Sequence, residues 1–172
     1  MLSFAYNGKN GGNMLGLTAK IEYPKLEITK YNLYDANLIF PSYSGKAGEF
    51  TALNTYAYQH YVLGTSEIST TLIDIGIAEM GHHELLGKAL KLLGANPMIG
   101  DGRYFWNGSF INYQTDLKSM IKADIEGEKN AIREYENCVK HLKTQALKSL
   151  IERIIIDEEL HLDTLEKIFA SL

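Results

Sequence analysis

Cysteine is almost missing: Cys138 stands alone among 172 residues, so neither an internal disulfide nor a Cys-x-x-Cys pair exists. Zinc ribbons, rubredoxin-type iron centres and thioredoxin-like motifs are thereby excluded, and Cys138 reads as an inert helix residue. Positive charge is also short. Seventeen Lys and Arg face twenty-one Asp and Glu, a formal net charge of −4, and the basic footprint that nucleic-acid binding needs is absent. No apolar run approaches the ~20 residues of a membrane-spanning helix. The Gly- and Asn-rich stretch from Met1 to Leu17 has no apolar core of the length a secretion signal requires. The expected setting is the cytoplasm, with no membrane and no nucleic-acid partner.

The length suffices for one domain with a proper core. Residues 1–40 are expected to form an irregular N-terminal extension. Gly8, Gly11, Gly12 and Gly16 alternate there with Asn7, Asn10 and Asn13, and Tyr23-Pro24 works against a continuous helix. Pro41 suits a first helical turn, so a helix is expected over about 41–63, followed by the turn Gly64-Thr65-Ser66. A second helix should span about 66–93, where Gly94 and Pro97 stop it. The segment 94–115 is too rich in glycine for a helix and too aromatic for a disordered linker. At roughly 3.3 Å per residue it can cross the length of a bundle. Two further helices are expected over about 115–142 and from about 144 onward. Residues 41–172 therefore read as an all-α four-helix bundle: two helical hairpins joined by a long crossover.

What the chain does have is a doubled constellation. Glu79-Met-Gly-His82 and Glu158-Glu-Leu-His161 each follow a lone Glu by thirty residues, Glu49 and Glu128. The offset is a constant 79, and residues 48–88 match 127–167 without gaps at twelve of forty-one positions. Tyr56/Tyr135 and Thr65/Thr144 are among the matches, so the repeating unit is one helical hairpin used twice.

Helix arithmetic brings the six groups to one depth. Glu49 lies fifteen residues before Gly64, and Glu79 fourteen after Thr65; the second hairpin repeats this around Lys143 and Thr144. At about 1.5 Å rise per residue the outward and return legs nearly cancel. Glu and His at i and i+3 share a face. Buried without cations, four carboxylates and two imidazoles would be costly; two divalent ions neutralise them. Glu49, Glu79, His82, Glu128, Glu158 and His161 are accordingly the expected metal ligands. Mixed carboxylate and imidazole donors suit manganese or iron, with zinc as a substitute.

Tyr56 and Tyr135 lie seven residues after the lone Glu, about 20° off its direction. Each is expected to hydrogen-bond a ligating carboxylate from the opposite side. Asp124, one turn before Glu128, is a candidate for orienting a ligand imidazole, His82 above all. His60 shares the face of Glu49 three turns deeper and reads as a core or interface histidine. His83 is rotated from His82 toward a neighbour or solvent, and His141 sits near a helix end, where a cation suits the dipole.

At these residues the chain resembles the ferritin-like di-metal carboxylate superfamily, over roughly residues 41–172. The run Gly48-Glu-Phe-Thr-Ala-Leu-Asn-Thr-Tyr-Ala-Tyr-Gln59 and the run Glu79-Met-Gly-His-His-Glu-Leu85 are similar to helices of manganese catalases. Asp157-Glu-Glu-Leu-His161 is more similar to bacterioferritins and rubrerythrins. The resemblance implies the same six ligands and a ferritin-like bundle. It departs at three places. No cysteines are present for a rubredoxin module, Ala131 stands where many rubrerythrins carry an extra Glu, and Met80 stands where bacterioferritins carry a haem-ligating Met without any other haem feature. The expected function is redox chemistry on hydrogen peroxide or dioxygen at a dinuclear manganese or iron centre, catalase-like or, with an external electron donor, peroxidase-like. The alternative is a ferroxidase or iron-storage protein of bacterioferritin type. A homo-oligomer is expected.

Overall fold

A computed structural model describes residues 16–172 and is all-helical there. Five α-helices follow one another: α1 Leu33–Ser44, α2 Glu49–Leu63, α3 Glu67–Leu92, α4 Leu117–His141 and α5 Gln145–Ser171. No strand occurs among the described residues, and a single 3-10 turn, Gly108–Phe110, lies in the crossover. The first fifteen residues of the expected N-terminal extension fall outside the described part of the chain.

Helices α2 and α3 form one hairpin and α4 and α5 the other, with α3 against α5 in the middle. Local chemistry sets their limits. The Ser66 side chain accepts from the Ser69 amide at 3.1 Å at the start of α3, and Asp116 accepts from the Ser119 amide at 2.9 Å at the start of α4. These caps satisfy amides that have no partner inside the helix. Gly64 ends α2 with φ +62°, in the left-handed region that glycine occupies without a side-chain penalty.

Helix α1 corrects two expectations at once. The chain is not irregular through residue 40, and Pro41 does not open a helix but lies inside one. Asn32 caps the start of α1 by accepting from the Asp35 amide at 3.1 Å. Ala36, Ile39, Phe40 and Tyr43 then bury one face, the i, i+3, i+4, i+7 pattern of a packed helix. That burial outweighs the backbone hydrogen bond lost at Pro41. Gly45 and Gly48 then let the chain turn into α2, because a Cβ at either would meet the Pro41 carbonyl oxygen at 2.5 Å. Asp35 of α1 also reaches the second hairpin's turn, accepting from the Thr144 amide at 2.7 Å and the Lys143 amide at 3.1 Å.

The apolar interior is split. One cluster gathers Ile39, Tyr43, Leu86, Leu90, Tyr135, Leu147 and Ile151, and the other Tyr56, Leu72, Ile75, Ile121, Ile125 and Leu165. Between them lies a layer of buried charge.

Candidate metal centre

All six expected ligands converge in that layer. Glu49 is the first residue of α2, Glu79 and His82 project from α3, Glu128 from α4, and Glu158 and His161 from α5. None is more than 4 % exposed. They fall into two groups of four: Glu49, Glu79, His82 and Glu158, and Glu79, Glu128, Glu158 and His161. Within each group the donor atoms lie within 4.8 Å of one another. Glu79 and Glu158 belong to both, one from each hairpin. Each group thus offers the two shared carboxylates, one further carboxylate and one imidazole, a donor set that could hold a divalent ion.

Distances give the same picture. His82 Nδ1 lies 3.1 Å from Glu79 Oε2, 3.1 Å from Glu158 Oε1 and 3.7 Å from Glu49 Oε2. His161 Nδ1 lies 3.0 Å from Glu79 Oε1 and 3.5 Å from Glu158 Oε2. Glu79 Oε1, Glu158 Oε1 and His161 Nδ1 are buried without hydrogen-bond partners. Orphaned polar atoms facing one another in an apolar shell are costly. A divalent cation is what this donor set fits.

The electrostatics sort the carboxylates into two kinds. Burial, reinforced by Glu79 and Glu158, pushes Glu49 well above the usual carboxylate range. Burial with Glu158 and Glu79 does the same to Glu128. For the shared pair, burial also pushes upward but the histidines win: His161 and His82 hold Glu79 well below its ordinary value and Glu158 below its own. Both imidazoles rise in turn, because their carboxylate partners overcome the burial that opposes their charge. Imidazole protons thus supply positive charge at positions a metal ion would take.

The outward nitrogens of the two histidines are held differently. His82 Nε2 lies 3.1 Å from Asp157 Oδ2. Although burial alone would raise it, Asp157 is held down at about 2 by hydrogen bonds from His82, Arg153, Tyr23 and the Ala19 amide. Arg153 Nη1 stands 2.8 Å from the same carboxylate. His161 Nε2 meets the Leu17 carbonyl oxygen at 2.8 Å. A carbonyl only accepts, so this nitrogen carries a proton, and Nδ1 is the nitrogen turned toward the site, free to ligate once its own proton is lost.

Asp124 does not orient His82, contrary to expectation. It accepts from Gln59 Nε2 at 2.8 Å, and Asp157 takes the predicted role. Asp124 is one turn from Glu128 on α4, whereas Asp157 precedes Glu158 on α5 and α5 packs against α3. The sequence carried a signal in the run Asp157-Glu-Glu-Leu-His161, but not which imidazole it served. Leu17 carried none, being a backbone contact from the lead-in.

The tyrosines cross the bundle. Tyr56 of the first hairpin donates to Glu128 Oε1 of the second, and Tyr135 of the second donates to Glu49 Oε1 of the first. Burial and the adjacent carboxylates push both hydroxyls well above the ordinary tyrosine range, so both remain donors. Helices α2 and α4 stand apart on this side around a cavity of about 850 Å³. Glu49, Tyr56, Glu79, Glu128, Tyr135 and Glu158 reach its wall. Ala131, at the position where many rubrerythrins carry an extra Glu, also lines it.

The other histidines stay outside. His60 Nδ1 meets the Ser69 hydroxyl at 2.8 Å, His83 stacks on Tyr43 with ring centroids 4.2 Å apart, and His141 meets the Asn137 carbonyl at 2.8 Å. Met80 is 51 % exposed on the outer side of α3.

A family model described as rubrerythrin matches residues 44–169. The chain belongs to the rubrerythrin family. The bundle of this rubrerythrin-family protein is similar to a manganese catalase from Anabaena, with a TM-score of 0.78, 21% identity, and coverage of 89% of this chain and 78% of that one. It is also similar to the bacterioferritin of Desulfovibrio desulfuricans, at a TM-score of 0.70 and 26% identity over 80% of this chain and 79% of the other. A dodecameric thioferritin from Bacteroides fragilis aligns with a TM-score of 0.65 at 14% identity, over 85% of this chain and 92% of that one. No curated protein matches. None of the described helices is long and apolar enough to cross a membrane.

Proposed function

We propose that Glu49, Glu79, His82, Glu128, Glu158 and His161 hold two manganese or iron ions and that the protein is an oxidoreductase acting on hydrogen peroxide. The observation that carries this reading is the pair of four-residue groups sharing Glu79 and Glu158. Two divalent ions bring the four carboxylates to neutrality and, when bound, supply reversible changes of oxidation state matched to cleavage of a peroxide bond.

The protein's own groups prepare the site. Burial of the six groups between the two halves of the apolar core strengthens the electrostatic interactions among them. Tyr56 and Tyr135 each fix one oxygen of an unshared carboxylate, Glu128 and Glu49, which leaves the other oxygen to face inward. Asp157 and the Leu17 carbonyl set the rings of His82 and His161 with Nδ1 toward the centre. The cavity between α2 and α4 gives a small molecule a path to Glu49, Glu79, Glu128 and Glu158.

A second reading, Fe(II) oxidation and storage, is favoured by the 26% identity to a bacterioferritin. One experiment separates them. The protein is loaded with Mn or Fe, bound metal is counted, and oxygen release from peroxide is followed without any reductant. Two metals per chain with vigorous oxygen release is the expected result. Fe(II) oxidation with mineral formation would assign storage instead. If Glu79→Ala and His161→Ala bound metal as the parent does, the ligand assignment itself would fall.

A further inference from the structure

The lead-in chain from Gly16 to Tyr23 crosses the outer side of α3 and α5 and touches the support of both histidines. Gly16 lies so close to α3 that a Cβ there would meet the Asp74 carbonyl oxygen at 2.6 Å and the Ala78 nitrogen at 2.7 Å, with φ at +114°. The Leu17 amide donates to that Asp74 carbonyl at 2.9 Å, while the Leu17 carbonyl accepts from His161. Two residues on, the Ala19 amide donates to Asp157 Oδ1 at 2.7 Å, and the Tyr23 hydroxyl donates to Asp157 Oδ2. Arg153 ties the segment down from α5: Nε donates to the Ile21 carbonyl and Nη2 to the Ala19 carbonyl, both at 2.9 Å. Its guanidinium also lies over the Tyr23 ring, 4.3 Å from the centroid.

We propose that residues 16–23 form a strap that positions both candidate metal-binding imidazoles, His161 through the Leu17 carbonyl and His82 through Tyr23 and Ala19 acting on Asp157. The inference rests on the six-ligand assignment above. It makes Tyr23 and Leu17 positioning residues, acting through hydrogen bonds that fix the ring orientation and the protonated nitrogen of each ligand. A strap of this kind has a directional consequence. Tyr23 serves only the His82 side, whereas Gly16, which seats the strap on α3, serves both.

Co(II) titration of the metal-free protein tests this, with affinity read by calorimetry and ligand geometry by visible absorption. Tyr23→Phe, which acts on His82 through Asp157, is expected to weaken one of the two ions by about 10-fold, the low end of what disturbing a ligand's outer partner costs, and to leave the other unchanged. Its absorption bands should shift for that ion alone. In a His82→Ala background the same change should cost nothing further. Gly16→Val is expected to weaken both ions while the far-ultraviolet helix signal stays parental. Parental affinity and spectrum in both variants would overturn the strap, as would equal weakening of both ions by Tyr23→Phe. Failure of the parent itself to bind two ions would instead overturn the six-ligand assignment.

Discussion

The two hairpins supply matching ligands but are not held in matching ways. Glu49, Tyr56, Glu79 and His82 superimpose in the sequence on Glu128, Tyr135, Glu158 and His161, and the tyrosine hydrogen bonds cross between hairpins in both directions. In the outer supports of the two histidines the symmetry ends. The residue 79 before Asp157 is Ala78, so α3 has no carboxylate at the matching position to meet His161 Nε2. A backbone carbonyl of the lead-in takes the place instead. In the proposed centre the inner ring is repeated because two ions would make the same chemical demand on their donors. The outer supports meet only the need to satisfy one ring nitrogen, which a carboxylate or a carbonyl can do.

Changes at the centre should separate shared from unshared ligands most strongly. Glu158→Gln is expected to abolish binding of both ions, and Glu49→Gln or Glu128→Gln of one each, by metal analysis after dialysis. Equal losses in all three would break the pairing into two groups with a common core.

Next in size is the asymmetric support. Asp157→Ala strips His82 of its outer partner and leaves the Arg153 guanidinium, 4 % exposed, without its carboxylate. Breaking a buried ion pair costs about 3–5 kcal/mol, which denaturant unfolding of the metal-free protein should register. Ala78→Gly, at the position related to Asp157 by the repeat, should cost no more than about 1 kcal/mol.

Asp124 sharpens the contrast through pH. Burial raises its carboxyl to about 7, with Gln59 pulling only weakly the other way. The folded protein then binds more protons than the unfolded chain between about pH 4 and 7, so this group's contribution to stability falls as pH rises through that window. Asp124→Asn should remove this part of the slope; an unchanged difference between pH 4 and 7 would place Asp124 in a more solvated setting.

The smallest effect belongs to a repeated surface feature. Lys88 pairs with Glu84 at 2.6 Å and Lys167 with Asp163 at 2.5 Å, and the two pairs are again 79 residues apart. Both are well exposed, so Lys88→Met and Lys167→Met should each change stability by less than about 0.5 kcal/mol. A larger change in only one would show that the repeat conceals an unequal surface.

The sequence was most readable where spacing alone constrains geometry. Helices α3, α4 and α5 begin and end within two residues of expectation, with Ser66 and Asp116 capping the starts of α3 and α4 and Gly94 following the end of α3. The six-group layer follows from a rise per residue and a turn position. Helix α1 was hidden because Pro41 looks like a helix opener, and only packing of Ile39, Phe40 and Tyr43 onto the core keeps that helix running past it. The support of His82 by Asp157 rather than Asp124 could not be read from spacing, because it depends on α5 packing against α3.

By itself, then, the sequence determined the hairpin repeat and the common depth of the six carboxylate and imidazole groups, because a helix converts residue number into direction and height. Tertiary structure alone decided which outer partner each histidine has, how α1 and the lead-in fold over the bundle, and where the cavity opens. Those depend on the approach of segments more than a hundred residues apart, such as Leu17 to His161 and Tyr23 to Asp157. Sequence spacing within one helix says nothing about such contacts; only the course of the lead-in over α3 and α5 sets them.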